Sequence, residues 1–192
     1  MGNDNGVRIV SATAVVGALV YGVLGLGDTA VLQVPWWPVV RLGASVVAGV
    51  CGVVVLVAAL RARDRRAGAF GVAVLAFALA WFVPGALATA LYWVPPAALV
   101  AFGVLTVRGL RGPQRAFGWI VTIAAALWFV ASLLTQTVPP PSTAQEVLVV
   151  VYAIPGLLQA VAFLAAAVLV AVPLLRVVGR GAGALWSSAE VR

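Results

Sequence analysis

The chain has 192 residues, of which 64% are hydrophobic and 9% are charged, and its formal net charge is +7. A mean hydropathy of +1.15 leaves too little polar surface to cover a soluble domain, which ordinarily carries about 25% charged residues. The composition excludes a soluble protein, and the apolar runs described below predict an all-α, polytopic membrane bundle of six helices. All basic residues are arginines, and we expect them to set topology in loops rather than to bind nucleic acid.

The first predicted elements are a short cytoplasmic tail, 1–8, and a crossing over 9–27. This apolar run is longer than the core of a signal peptide, about 7–15 residues, and further apolar runs follow it, so we interpret it as a crossing. An outer loop leads to the second crossing, predicted over 39–60. Trp36 and Trp37 precede it, and tryptophan favours the headgroup level of the membrane.

Small residues recur every four positions in both crossings and form two ladders. They are Ala14, Ala18 and Gly22 in the first crossing and Ala44, Ala48 and Gly52 in the second. This spacing places small side chains on one helical face and permits close helix packing. The simplest hypothesis is that the ladders face each other within one molecule. Alternatively, the first ladder faces a partner membrane protein or a second copy, or the spacing only reflects the alanine-rich composition.

Two arginine clusters then bracket the next apolar run. The clusters consist of Arg61, Arg63, Arg65 and Arg66 before the run and Arg108, Arg111 and Arg115 after it. Arginine-rich short loops stay in the cytoplasm, so the run between them must cross an even number of times. Its length fits one pair of crossings of about 20 residues each, predicted over 68–88 and 91–107. We place the reversal near 88–95, between the possible turns Pro84-Gly85 and Pro95-Pro96. The same arginines can hold anionic lipid headgroups.

The last two crossings are predicted over 117–138 and 147–172. Pro155-Gly156 lies inside the second of them and predicts a kink there. Further arginines in the tail, 176–192, return it to the cytoplasm.

The third and fifth crossings also resemble each other in sequence. Ala69-Phe-Gly71 and Trp81-Phe-Val83 recur at an offset of 47 as Ala116-Phe-Gly118 and Trp128-Phe-Val130. This echo favours a duplicated two-helix unit, of the parallel kind found in some transporters. The alternative is that these residues are simply common in lipid-facing helices.

Reactive side chains are sparse in this sequence. It contains no histidine, and its single cysteine, Cys51, lies in an apolar run as a small packing residue. The five acidic residues fall away from the middle of every predicted crossing, which argues against a proton-coupled or sodium-coupled carrier. Arg41, one turn inside the second crossing, is expected to snorkel to the outer interface or to meet Asp28. We therefore expect no catalytic residue, no metal site and no cofactor.

Two glutamines, Gln136 and Gln159, are the most polar groups in the helical segments. They are expected to make hydrogen bonds between helices or, as the sharper alternative, to line a polar cavity. Hydroxyl groups in the spans, such as those of Thr122, Ser132 and Thr135, are expected to bond to carbonyls of their own helix.

Two classes of function fit these features. The first is a non-catalytic accessory or scaffold subunit of the cell membrane, with both termini cytoplasmic and with another membrane protein or a second copy as its partner. The second is a passive substrate-binding transport subunit. Six short helices, fewer than 200 residues and the AxxxA face of Ala14 and Ala18 resemble the substrate-binding components of energy-coupling-factor vitamin transporters. That resemblance implies a subunit that binds a substrate and has no ATP site of its own.

Overall fold

A computed structural model describes residues 2–29, 36–137 and 153–173, and these residues form six α-helices and no strand. The helices are α1 Gly2–Thr29, α2 Trp37–Ala62, α3 Arg65–Leu79, α4 Ala86–Gly109, α5 Pro113–Thr137 and α6 Ala153–Pro173. All except α3 are long and apolar enough to cross a membrane. The predicted all-α bundle of membrane-protein type is confirmed.

The shortest helix, α3, lies at the centre of the bundle. Its Phe77 ring is 4.7–6.3 Å, between ring centroids, from one ring on each of four other helices. These rings belong to Tyr21 of α1, Tyr92 of α4, Trp128 of α5 and Phe163 of α6. Against α2, the backbone of α3 approaches closely at Gly52. The helix is therefore enclosed mainly by other helices. Its 15 residues give it a length of only about 22 Å.

The chain reverses between α3 and α4 at residues 80–85, so the expected reversal near 88–95 is wrong. Pro84 has no backbone N–H and disfavours a helical conformation at the preceding residue, Val83, so it favours the end of a helix in this segment. Gly85 then adopts φ 71° and ψ −149°, a conformation that is essentially restricted to glycine. This proline and glycine together end one helix and allow the next to begin.

The second possible turn, Pro95-Pro96, lies inside α4 instead, and both prolines are buried. A membrane helix tolerates prolines in its interior when neighbouring helices and side chains compensate for the lost backbone hydrogen bonds. As a result, α4 has 24 residues and α3 has only 15. The predicted crossings over 68–88 and 91–107 are therefore wrong in their relative length, because they made the third helix the longer one.

One further boundary differs from the sequence interpretation, and one prediction is left untested. Helix α1 begins at Gly2, so the described part of the predicted tail 1–8 is helical. Pro155 lies in the first described turn of α6, and the chain before this turn, which the predicted kink would involve, lies outside the described residues. The segments 30–35 and 138–152 and the tail 176–192 also lie outside them.

The small-residue ladders are largely buried, but their glycines face other helices. A Cβ atom on Gly22 would lie 2.7 Å from Cδ2 of Leu164 in α6, and one on Gly52 would lie 2.9 Å from the backbone nitrogen of Leu75 in α3. The hypothesis that the two ladders face each other is therefore wrong at the glycines. The physical reason is that α1 also packs against α6 and α2 also packs against α3, and close approach to these helices requires the glycine faces. The ladder alanines Ala14, Ala18 and Ala48 are buried, and Ala44 is half-buried.

Both arginine clusters lie at one end of the bundle, which we call the arginine end. The α2–α3 turn passes through Arg63, whose backbone is left-handed (φ 53°, ψ 32°). Oδ1 of Asp64 then accepts hydrogen bonds from the backbone N–H groups of Arg66 and Ala67, at 2.9 and 3.3 Å, and caps α3. A Cβ on Gly109 of α4 would lie 3.4 Å from Nη1 of Arg66, so this turn is adjacent to the α4–α5 turn.

Candidate functional site: a polar cavity

A cavity of about 340 Å³ opens at the end of the bundle opposite the arginine end. It lies near the C-terminal end of α3, which contributes only Phe77 to its lining, because α3 stops at Leu79 and leaves space between the longer helices. Four helices contribute polar side chains to the lining. These side chains are Arg41 of α2, Tyr92 of α4, Ser132 and Gln136 of α5, and Gln159 of α6.

The floor of the cavity is aromatic. The rings of Phe77 and Trp128 meet nearly edge to face, with centroids 5.7 Å apart and an angle of 76°. Beneath them, Phe163 lies 6.0 Å from Trp128 and 5.3 Å from the ring of Tyr21. Edge-to-face and tilted arrangements of this kind are favoured by the ring quadrupoles and pack densely. Phe77 and Trp128, which line the cavity, therefore belong to the buried core of the bundle.

One face of α5 forms a wall of the cavity. Trp128, Ser132 and Gln136 follow one another at intervals of four residues and therefore lie on the same side of the helix. The expected bonding of hydroxyls to their own helix is confirmed for Thr122, whose Oγ1 donates to the carbonyl of Gly118 at 2.8 Å, and for Thr135, whose Oγ1 donates to the carbonyl of Ser132 at 3.1 Å.

Gln159 links two helices and lines the cavity as well. Its side chain is only 5% exposed, and its Nε2 donates to the backbone carbonyl of Tyr21 in α1 at 3.0 Å. A carbonyl can only accept, so the amide nitrogen must face it, which leaves Oε1 and the second N–H of Gln159 for the cavity. This bond forms because α1 and α6 meet at glycines: a Cβ on Gly25 would lie 2.7 Å from the carbonyl oxygen of Gly156.

Arg41 lies in the cavity wall, half-buried, and its guanidinium packs into the bundle. Its Cζ is 3.9 Å from the centroid of the Trp81 ring, a distance typical of cation–π stacking. The Trp81 ring in turn meets the Tyr92 ring at 81°, with centroids 6.3 Å apart. Trp81 lies in the turn between α3 and α4 and is itself 36% exposed, so the predicted snorkelling of Arg41 to the interface stays a prediction. The side chain of Asp28, the other expected partner, lies outside the described residues.

The structure thus brings Gln136 and Gln159 together around one cavity, Gln136 at the exposed rim and Gln159 in the interior. The ladder residues lie in helix contacts, and the arginine clusters lie at the other end of the bundle. Sequence reasoning missed the roles of Arg41 and Tyr92, because their convergence depends on tertiary packing. The proximity of Arg41 to the start of α2 was the available signal, but it equally suits an interfacial arginine.

Within the part of the chain that the structure describes, no three histidine, cysteine or acidic side chains are grouped closely enough to hold a metal ion. Comparisons with protein-family models, with curated proteins and with solved structures found no match.

Proposed function

We propose that this protein is a non-catalytic, multi-pass membrane protein that binds a small polar ligand in the cavity, as the passive substrate-binding subunit of a transporter would. The observation that carries the proposal is the convergence of five polar side chains from four helices over an aromatic floor. Polar groups are costly inside a membrane protein unless they are paired or serve a ligand pathway. A concave site with an apolar floor and a few placed polar groups is the usual form of a small-molecule site.

The lining supports binding rather than a reaction. Its described polar groups are a guanidinium, two amides and two hydroxyls, which donate and accept hydrogen bonds but are poor bases near neutral pH. The chain also has no histidine to activate a hydroxyl. We therefore assign the site to recognition and release of an unchanged ligand.

The positions of the arginines suggest how the protein is oriented in the membrane. We propose that the arginine end is cytoplasmic, in contact with anionic lipid headgroups, and that the cavity opens to the outside of the cell membrane. In this arrangement α3 and the turn at 80–85 together make the third of six crossings, and both termini are cytoplasmic. Moving the ligand across the membrane would require a partner membrane protein. A subunit that binds the ligand for such a partner would have both the accessory role and the binding role.

The test is a thermal-stability screen of purified protein in detergent. The panel contains matched acids, amides and amines of one-ring and two-ring aromatic compounds. Ser132→Phe fills the cavity, whereas Val130→Phe adds a ring at a position on the same helix that is 50% exposed. A ligand present at 100 times its Kd stabilises the folded state by about 2.7 kcal/mol. We expect at least one compound to raise the Tm of the wild type and of Val130→Phe but not that of Ser132→Phe. If no compound does so, or if all three proteins respond equally, the proposal is wrong.

A further inference from the structure

The arginine end carries a strongly charged surface made by two turns, which we call the arginine turns. The first spans 61–66, from the end of α2 to the start of α3, and the second spans 108–115, from the end of α4 to the start of α5. Together they contain seven arginines and one acidic residue, Asp64, so their formal net charge is +6. Six of the seven arginines are exposed, and Arg66 is half-buried. This surface is complementary to a ligand that carries more than one negative charge.

The acidic residue of the arginine turns is already engaged. Oδ1 of Asp64 accepts hydrogen bonds from two backbone N–H groups of α3 and lies 4.0 Å from Nε of Arg66. One carboxylate can offset the charge of one arginine at most. Most of the positive charge in the two turns is therefore left for anions outside them.

The two arginine turns adjoin each other. A Cβ on Gly109 would lie 3.4 Å from Nη1 of Arg66, so the guanidinium of the first turn lies beside the backbone next to Arg108 in the second. Two residues separate α2 from α3 and three separate α4 from α5, and the helices therefore hold both turns in place. Groups of like charge held side by side repel each other, and an anion that bridges them offsets this repulsion.

Exposed apolar side chains lie next to these arginines. Leu60, which precedes Arg61, is 70% exposed. Trp119 is 50% exposed and follows Arg115 by four residues, so both lie on the same face of α5. A molecule whose charged part meets the arginines can therefore lay apolar chains along the bundle. Phospholipids combine these two parts, whereas a soluble phosphate compound would use the arginines alone.

A headgroup with two phosphates suits a pair of adjoining turns. The planar fork of an arginine binds phosphate through two parallel hydrogen bonds. Once one phosphate is bound at one turn, a second phosphate of the same headgroup reaches the other turn at high effective concentration, whereas a second lipid with one phosphate would have to bind separately. Basic sites between helices on the cytoplasmic side are typical of such headgroups.

We infer that the arginine end binds one anionic phospholipid with two phosphate groups, one at each arginine turn. Cardiolipin is a lipid of this chemical class. The inference rests on the headgroup contact in the proposed function and makes that contact specific, and it does not depend on a ligand in the cavity.

The test is native mass spectrometry of the full chain in detergent with three probes. They are cardiolipin, phosphatidylglycerol, which has one phosphate, and inorganic pyrophosphate, which has two phosphates and no apolar part. Arg66→Gln and Arg108→Gln each remove a fork where the turns adjoin. The matched control is Arg8→Gln, because Arg8 is also exposed but lies in α1, outside both turns.

We expect the wild type and Arg8→Gln to bind cardiolipin about tenfold or more tightly than either other probe, because only cardiolipin engages both turns and the apolar surface. Arg66→Gln and Arg108→Gln should each weaken the binding of cardiolipin about tenfold, since charge-assisted hydrogen bonds are lost. Their effect on phosphatidylglycerol should be smaller. Arg66→Lys and Arg108→Lys, which keep the charge but lack the fork, should lie between the wild type and the glutamine variants.

Equal affinity for cardiolipin and phosphatidylglycerol would overturn the inference of two phosphates. A loss of cardiolipin affinity in Arg8→Gln as large as that in Arg66→Gln and Arg108→Gln would overturn the site. Pyrophosphate binding as tight as that of cardiolipin would overturn the lipid and assign the surface to a soluble phosphate compound. None of these variants changes a residue of the cavity lining, so the ligand screen with Ser132→Phe decides the proposed binding function separately.

Discussion

Gly25 is the residue that allows α1 and α6 to approach until backbone meets backbone. A Cβ at this position would lie 2.7 Å from the carbonyl oxygen of Gly156 and 3.0 Å from the backbone nitrogen of Ala160. Backbone atoms cannot rotate away as a side chain can, so a methyl group here would force the helices apart. The hydrogen bond from Gln159 to the Tyr21 carbonyl depends on the same approach.

We predict that Gly25→Ala lowers the free energy of unfolding by about 1–3 kcal/mol, the usual cost of overpacking. The matched control is Gly43→Ala, because a Cβ on Gly43 meets no atom within 4 Å. Gly43 lies in α2, where alanine favours the helix by up to about 1 kcal/mol over glycine. Thermal unfolding in detergent, followed by circular dichroism, measures both variants. A Gly25→Ala protein as stable as Gly43→Ala would contradict the close contact.

At the level of single residues, the sequence indicates which side chains are polar but not what they face. Gln136 and Gln159 could be singled out because amides are rare in apolar helices, and both line the cavity. Arg41 could not be assigned in this way. An arginine near a helix end fits the interface as well as a cavity wall, and its place among the lining residues follows only from the packing of the helices.

At the level of elements, the α2–α3 hairpin is held by a reciprocal pair of glycines, which we call a glycine clasp. A Cβ on Gly52 of α2 would lie 2.9 Å from the backbone nitrogen of Leu75 in α3. A Cβ on Gly71 of α3 would lie 3.0 Å from the backbone nitrogen of Leu56 in α2. In each helix, the glycine and the leucine whose backbone is contacted are four residues apart, so the two close contacts lie about one helical turn from each other.

The α4–α5 hairpin contains a second glycine clasp. A Cβ on Gly103 of α4 would lie 2.9 Å from the backbone nitrogen of Thr122, and one on Gly118 of α5 would lie 3.3 Å from that of Val107. Both α5 positions follow their α3 counterparts by 47 residues, the offset of the sequence echo. The shared contact supports the interpretation of the echo as a duplicated two-helix unit.

We predict that Gly52→Ala and Gly103→Ala each destabilise the protein by about 1–3 kcal/mol, because both clasps bring a backbone nitrogen within 3 Å of the added methyl group. Gly68→Ala in α3 is the control, since its Cβ would lie 3.9 Å from Cβ of Ala59, an ordinary contact distance. Chemical or thermal unfolding of the three variants provides the measurement. Destabilisation by only one of the two clasp variants would show that the hairpins are not equivalent.

The ends of the elements were less predictable than their existence. Trp81 and Phe82 are as apolar as the helix before them, so hydropathy extends α3 through them, yet they lie in the turn. The echo diverges at this point, because Trp128 continues within α5. Pro84-Gly85 and Pro95-Pro96 are both turn signals in sequence. Which one bends the chain depends on the helices that surround the second pair.

At the scale of the whole molecule, the position of Arg66 beside Gly109 places the two arginine clusters at one end. The predicted topology needs this arrangement, although it does not by itself fix which side of the membrane that end occupies. Because Cys51 is the single cysteine and is buried, labelling of introduced cysteines can resolve the orientation in a Cys51→Ala background.

We predict that Ala86→Cys, at the start of α4, reacts with a membrane-impermeant maleimide on intact cells. Arg111→Cys, between α4 and α5, should react only after the cells are opened, because positive loops remain cytoplasmic. Labelling of both variants after denaturation controls for expression. Labelling of Arg111→Cys on intact cells would invert the proposed topology and place the cavity on the cytoplasmic side.

The short central helix has a consequence for how the bundle assembles. A helix of about 22 Å falls short of a hydrocarbon core of about 30 Å, so we expect α3 to be less stable on its own in a bilayer than the five helices that are long enough to cross it. The rings that enclose Phe77 include Phe163 of α6, which a ribosome synthesises last among the six helices. We therefore expect α3 to become stable, and the lining of the cavity to be completed, only after α6 has packed against the other helices, so that α6 closes the bundle cooperatively.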